Sequence, residues 1–119
     1  MIEVGHQGRA RGLGGYEVLK RVKLEEPEEY YDDEGKKFFY PVLAQIKWKR
    51  TGNIELWLTY YRQREGEKPI FAGQFAPIMR EGSLVELLSG AINQGFFAPR
   101  SLSILQQAIS AYSTRAKGE

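Results

Sequence analysis

The stretch that decides the fold is residues 41–77, which read PVLAQIKWKRTGNIELWLTYYRQREGEKPIFAGQFAP. It contains three runs rich in apolar and aromatic residues, separated by the polar sequences TGN and REGEK. Short glycine-containing segments between such runs are typical of hairpin turns. We therefore expect three antiparallel strands joined by two tight turns.

The register of the first hairpin decides which side chains share a face, because successive side chains of a strand alternate between faces. With residues 51–53 as a three-residue loop, Arg50 lies opposite Ile54 and Lys47 lies opposite Trp57. The core face then carries the alternating residues Ala44, Ile46, Trp48, Ile54, Leu56, Leu58 and Tyr60. A shift of one residue would exchange the two faces, so the rest of the interpretation depends on this register.

The second hairpin extends the face that carries Trp57. With residues 65–67 as the loop, Tyr61 lies opposite Phe71 and Trp57 lies opposite Phe75. Rings on an open sheet can stack on bases while nearby cations neutralise phosphates. The alternative is that helices or another subunit cover this face. The candidate nucleic-acid-binding residues are Trp57, Tyr61, Phe71, Phe75, Lys47, Lys49, Arg62, Arg64 and Lys68.

The composition fits one domain without covalent cross-links. The chain has 119 residues and no cysteine, which excludes disulfides, thiol chemistry and cysteine-ligated zinc. No apolar run is long enough to cross a bilayer, and no signal peptide is recognisable, so we expect a cytoplasmic protein without a membrane partner. Abundant Lys, Arg and Glu without Cys is also typical of heat-loving organisms. The net charge of +2 is compatible with nucleic-acid binding but does not by itself indicate it.

Catalysis is not expected from this sequence. General acid–base and nucleophilic catalysis need a positioned histidine, a thiol or paired carboxylates. The one histidine, His6, lies in a glycine-rich stretch, and the carboxylates cluster in residues 25–34. Asp32, Asp33 and Glu34 lack the alternating ligands of a calcium loop. We therefore predict no catalytic residue, no metal and no cofactor.

The rest of the chain suggests a simple order of elements. Residues 1–15 are predicted to be a flexible glycine-rich basic arm, with Arg9 and Arg11 as further phosphate contacts. Residues 16–119 are predicted to form a single α+β domain. Within it, residues 16–24 form a first strand at an edge, with a short helix as the alternative, residues 25–37 form an acidic loop, and residues 38–50 form a second strand.

Two helices follow the strands. Ser83 and Glu86 have the spacing of a capping box, Gly95 is a helix stop, and Gly90 indicates close packing on the sheet. The first helix has an apolar stripe formed by Leu84, Leu87, Leu88, Ala91 and Ile92. The last helix begins near Pro99 and repeats apolar residues at Leu102, Leu105, Ile109, Tyr112 and Ala116. Such a repeat is typical of a dimer contact or of a helix packed on its own sheet.

The expected fold class is therefore α+β, with an antiparallel four-stranded meander sheet followed by two C-terminal helices packed on one face. With its KWKR (residues 47–50) and ELWLTYYRQR (residues 55–64) segments and its helical end, the chain resembles the ThermoDBP-related single-stranded DNA-binding proteins of thermophilic archaea. The resemblance implies a cleft lined by aromatic and basic side chains and a homodimer through the C-terminal helix. PUR-type and PC4-type modules share the sheet-then-helix order and remain alternatives.

The predicted function is binding of single-stranded nucleic acid with low sequence specificity. DNA is the favoured partner and RNA the alternative. The competing hypothesis is a structural or oligomerisation domain whose aromatic sheet face is buried at a protein–protein interface.

Overall fold

The computed structural model describes residues 1–72 and 77–118, and these residues form a curled antiparallel sheet and two C-terminal helices. The predicted α+β class is confirmed, but the described chain has six strands instead of four. The sheet order is β1-β2-β4-β5-β6, and β3 pairs with the first part of β4. The elements are β1 (Gln7–Ala10), β2 (Gly14–Lys23), β3 (Glu28–Asp32), β4 (Gly35–Trp48), β5 (Ile54–Arg64), β6 (Ile70–Phe71), α1 (Glu81–Asn93) and α2 (Pro99–Gly118).

Strand β1 lies in the segment predicted to be a flexible arm. It pairs antiparallel with β2, with Gly8 opposite Tyr16 and Ala10 opposite Gly14. Gly8 lies directly over the Tyr16 ring, where a Cβ atom would collide with the ring carbons. The absence of a side chain at Gly8 therefore lets β1 lie close to β2.

Strand β3 lies in the segment predicted to be an acidic loop. It forms a hairpin with β4 in which Asp32 is opposite Gly35, whose φ of 115° favours glycine. Lys37 forms ion pairs with Asp32 and Glu34, and the Lys37 hydrogen bond holds the pKa of Asp32 below its usual value. The acidic residues are thus neutralised across the hairpin, which explains how so charged a segment forms a strand.

The register of the β4–β5 hairpin differs from the predicted one. Ile54 is opposite Lys47, not Arg50, so residues 49–53 form a five-residue connection. Two backbone hydrogen bonds close it: Trp48 N donates to Asn53 O at 2.9 Å, and Gly52 N donates to Trp48 O at 2.8 Å. The shift is by an odd number of residues, so even-numbered β4 residues share a face with odd-numbered β5 residues.

The second hairpin register is confirmed, because Tyr61 is opposite Phe71. The pairing predicted for Phe75 lies outside the described residues.

The sheet has a different cover on each side. On one side, here called the aromatic face, Tyr16, Trp57 and Tyr61 pack with the small and branched residues of β2 and β4, and Ile2 packs against them. On the other side, here called the helix face, Leu87 and Ala91 of α1 are fully buried in a cluster of apolar residues from β2 and β4. The helix therefore covers the face that lacks Trp57.

Helix α1 begins differently from the prediction. Its N-cap is Arg80, no side chain caps the first turn, and Ser83 is buried. Glu86 accepts a hydrogen bond from the amide of Glu25 at 2.8 Å and so fastens the helix to the chain after β2. The predicted capping box is therefore wrong, whereas Gly95, with a φ of 75°, does follow the helix end.

Helix α2 does not pack on the sheet as predicted. None of its described residues, Pro99–Gly118, is buried. The radius of gyration is 16.9 Å, against about 13.5 Å for a compact chain of this length. The helix therefore projects from the body of the molecule. In the described part of the chain, no helix is both long enough and apolar enough to span a membrane.

Candidate nucleic-acid interface

Five aromatic rings from four strands form a continuous row on the aromatic face. Tyr16 lies between Trp48 and Trp57, with ring centroids 5.8 Å and 5.7 Å away. Phe71 lies between Trp57 at 6.0 Å and Tyr61 at 5.6 Å. All four contacts are edge to face, the arrangement that ring quadrupoles favour.

The strand registers bring these rings together. Tyr16 of β2 is opposite Trp48 of β4, and Tyr61 of β5 is opposite Phe71 of β6. Trp57 is opposite Ala44, whose small side chain fills little of the space above the sheet. Three of the four predicted stacking residues, Trp57, Tyr61 and Phe71, thus share one face, while Phe75 lies outside the described residues.

A cleft of about 460 Å³ lies against this row of rings. Its volume is within the usual range of ligand sites, about 300–1,000 Å³. Ile46 contributes to its apolar wall, and the β1–β2 turn contributes Leu13. Its lining residues are Arg9, Ala10, Leu13, Tyr16, Ile46, Trp48, Glu55, Leu56, Trp57 and Phe71.

The rings differ in how accessible they are. Phe71 is 44% exposed, and Trp48 and Trp57 are half-buried. Tyr16 and Tyr61 are buried, and burial raises the pKa of both phenols, so both are neutral at pH 7. The two tyrosines support the cleft without adding negative charge, and three rings remain for contact with a ligand.

The N-terminal segment closes the Tyr61 end of the row. The amide of Ile2 donates a hydrogen bond to the Tyr61 hydroxyl at 2.8 Å, and the Ile2 side chain is buried. Arg21 donates to the Ile2 carbonyl at 2.5 Å and pairs with Glu3 at 3.2 Å. Tyr61, predicted to stack on a base, is therefore buried and hydrogen-bonded beneath the N-terminal segment.

Three of the predicted cations lie away from the rings. Lys47 is opposite Ile54, so the corrected register places it on the helix face. Arg62 lies over the Tyr60 ring, 5.6 Å from its centroid, and Arg64 pairs with Glu34 at 2.5 Å. The prediction that these cations edge the aromatic face is wrong. The predicted position of Lys47 relied on a three-residue turn, whereas Arg62 and Arg64 are even-numbered residues of β5 and so lie on the face opposite Trp57 whatever the turn.

A second set of cations lies beside the cleft. Arg9, Lys49 and Arg50 surround an open depression of about 710 Å³ whose floor includes Gly14 and Gly15. A Cβ atom on Gly15 would lie 3.2 Å from Lys49 Cδ, so the bare backbone lets this side chain lie flat. Arg9 lines both the depression and the cleft. In residues 1–72 and 77–118, none of these three cations forms an ion pair with an acidic side chain.

The sequence prediction had included only part of this arrangement. Lys49 was a candidate, and Arg9 was named as a possible arm contact, but Arg50, Tyr16 and Trp48 were not assigned to the site. Trp48 had been placed on the core face by the three-residue turn. Lys68 is exposed in the connection between β5 and β6 and lines neither the cleft nor the depression.

The fold and the site define a class: an α+β protein with a cleft of aromatic rings on the sheet face opposite its packed helix, and a basic depression at the end of the sheet where β1 meets β2 and β4 meets its turn. The chain matches no protein-family model, and comparisons with curated proteins and with solved structures give no match either.

Proposed function

We propose that this protein binds single-stranded DNA in the cytoplasm, with little sequence preference. The observation that carries the proposal is that the ring-lined cleft and the basic depression share Arg9 in their linings. Single-strand-binding sites combine the same two parts, because bases stack on rings while the backbone follows a positive groove. The sequence resemblance to the ThermoDBP-related proteins agrees with this function.

The accessible rings provide the stacking surface in this proposal. Phe71, Trp57 and Trp48 are the exposed or half-buried members of the row. A base stacked on an aromatic side chain contributes about 1–3 kcal/mol by substitution. Bases paired within a duplex cannot reach these rings, so the site selects a single strand.

Phosphates lie at the basic depression in this proposal. Arg9, Lys49 and Arg50 form no ion pair within the described residues, so their charges are available to a phosphate. Glu55 also lines the cleft and, with Arg50, a smaller depression, and its carboxylate repels phosphates there. It can instead accept hydrogen bonds from the amino groups of bases.

We also propose that the protein is a homodimer through its C-terminal helix. All the described residues of α2 are at least partly exposed, and Leu105, Ile109 and Tyr112 are exposed at three–four spacing. Most helical stability in proteins comes from packing of an apolar side, so a partner that covers this side would stabilise α2.

Adjacent residues of β6 give a matched test of binding. Phe71 belongs to the ring row, whereas Ile70 is opposite Arg62 on the helix face, and both side chains are exposed. We expect Phe71→Ala to weaken binding of a fluorescein-labelled oligo-dT about tenfold, which corresponds to the loss of one stacked base. Ile70→Ala should change the affinity less than about twofold. Fluorescence anisotropy measures the affinity of both variants.

The same titration should be run with a ribo-oligomer and with a duplex. Weaker binding of the duplex supports the stacking model, and equal binding of duplex and single strand contradicts it. If neither single strand binds, and Phe71→Ala instead changes the oligomeric state, the aromatic face is a protein interface.

A further inference from the structure

Helix α1 uses only part of its apolar surface. It buries Leu87 and Ala91 against the sheet, but Leu88 and Ile92 are exposed. With Leu84, which is also exposed, they are spaced four residues apart and lie on one side of the helix. The body of the protein therefore presents a helical stripe of apolar side chains, here called the α1 stripe (Leu84, Leu88 and Ile92).

Helix α2 carries a complementary apolar stripe, and no described residue of its own chain buries it. Leu105, Ile109 and Tyr112, here called the α2 stripe, are all exposed. Because no described residue of α2 is buried, the helix does not pack on the α1 of its own chain.

The connection between the helices explains why α2 points away. Phe96 is buried in the same cluster as Leu87, and its amide donates to Ala91 O at 2.9 Å. The Gln45 side chain donates to Phe96 O at 3.4 Å, and Lys20 Nζ donates to Gln94 O at 2.9 Å. The turn is thus attached to the sheet at several points, which fixes the direction of α2.

Charge indicates which way a partner helix would run. Glu81 is in the first turn of α1, three residues before Leu84, and so at the start of the α1 stripe. Arg115 and Lys117 are in the last turn of α2, and Arg100 is near its start. An antiparallel helix pair places Arg115 and Lys117 near Glu81, and Arg100 near the negative end of the α1 dipole. Pairing of α2 with another α2 would bring only basic groups together and leave the α1 stripe uncovered.

We propose that two copies of the chain form a two-fold dimer in which α2 of each copy lies antiparallel along α1 of the other. This exchange of helices covers both stripes in both copies. Because the two-fold symmetry leaves no stripe uncovered, no further copy is added. Helix α1 has 13 residues and α2 has 20, so the partner helix spans the whole α1 stripe. This inference rests on the proposed homodimer and is independent of nucleic-acid binding.

The absence of cysteine from the sequence allows a direct cross-linking test. Leu88→Cys and Ile109→Cys are prepared as single variants, mixed, allowed to exchange subunits, and treated with a short bis-maleimide. Denaturing gels should show a cross-linked dimer in the mixture and little in either variant alone. Light scattering of the unmodified protein measures whether it is a dimer at all.

Each other outcome overturns the inference in a different way. Cross-linking of Ile109→Cys with itself indicates an α2–α2 contact. Internal cross-linking of the double variant, with the mobility of a monomer, indicates that α2 closes on its own α1. If light scattering shows a monomer, the proposed homodimer is also wrong. If it shows a dimer that lacks the cross-link between positions 88 and 109 of different copies, only the helix exchange is wrong.

A charge reversal provides a second measurement. Glu81→Lys should weaken dimerisation about fivefold to tenfold, and Arg115→Glu in the same chain should recover most of the loss. Absence of both effects at low salt contradicts the antiparallel direction. Glu67→Lys is a matched control, because this exposed residue lies in the β5–β6 turn, away from both helices.

Discussion

Among the residues that the structure describes, Thr59 is the one with a buried side-chain polar atom that lacks a hydrogen-bond partner. It is fully buried on the aromatic face opposite Val42, between Trp57 and Tyr61 along β5. Its hydroxyl has no hydrogen-bond partner among the described residues. A buried hydroxyl without a partner costs about 1–3 kcal/mol relative to its solvated state.

Thr59→Val is expected to stabilise the protein. Valine has nearly the shape of threonine and removes the unpaired hydroxyl, so we expect a gain of about 1 kcal/mol and a Tm several degrees higher. Differential scanning calorimetry measures the Tm of both proteins. Thr51→Val is the control, because Thr51 is exposed and its hydroxyl accepts from Asn53 N at 3.2 Å. A lower Tm for Thr59→Val would show that the hydroxyl has a partner in solution.

The positions of three rings could be predicted from the sequence, but those of Tyr16, Trp48 and most of the cations could not. Alternation within β5 and a short second turn were enough to place Trp57, Tyr61 and Phe71 together. The sequence TGN does not show whether Lys49 and Arg50 belong to the strand or to the turn. The five-residue connection depends on hydrogen bonds between Trp48 and residues 52–53, which are set by the turn geometry and not by hydrophobic pattern.

Among the elements, α1 depends on one close approach to the sheet. A Cβ atom on Gly90 would lie 2.6 Å from Val22 Cγ1, which is too close for any real contact. Gly82 is in the same helix, and a Cβ atom there would meet nothing within 4 Å. The two glycines therefore offer a comparison within one element.

Gly90→Ala and Gly82→Ala should have opposite effects. Alanine normally stabilises a helix interior by about 1 kcal/mol relative to glycine, and less in the first turn. We expect that small gain at Gly82 and a loss of about 1–3 kcal/mol at Gly90, because the helix must move off Val22. Urea denaturation measures both. Val22→Ala in the Gly90→Ala background should recover part of the loss, and equal effects at the two glycines would contradict the packing.

The sequence prediction missed two strands, β1 and β3, because both form through contacts with a neighbouring strand. Strand β1 has four residues and little apolar character, and it forms because Gly8 permits close contact with Tyr16. Strand β3 is acidic and forms because Lys36 and Lys37 lie across the hairpin. The hydrophobic periodicity of residues 7–10 or 28–32 does not reveal these contacts with the neighbouring strand. The long strands β4 and β5 and both helices have strong periods, and their existence was predicted.

For the whole molecule, the distribution of charge matters more than the net charge of +2. Arg64, Lys36 and Lys37 form ion pairs at the end of the sheet that carries β3. Arg9, Lys49 and Arg50 are grouped at the opposite end, beside the cleft. These three cations, which form no ion pair within the described residues, therefore lie together beside the cleft, away from the ion-paired end of the sheet.

Binding to oligo-dT should depend on salt in proportion to these three cations. If each neutralises one phosphate, log affinity should fall with log salt with a slope of about −2. Arg50→Gln should make the slope less negative by about 0.7, and Arg62→Gln, on the helix face, should leave it unchanged. Titrations at several salt concentrations measure the slopes. A slope near zero would contradict the assignment of phosphates to the depression.

Both tryptophans of the chain, Trp48 and Trp57, line the same cleft, with Tyr16 between them. All of the indole emission of the protein therefore comes from the surface where a ligand is proposed to lie. Selective excitation of indole makes the unlabelled protein its own optical sensor, since a stacked base quenches that emission directly. Occupancy can then be followed without any dye attached to protein or oligonucleotide.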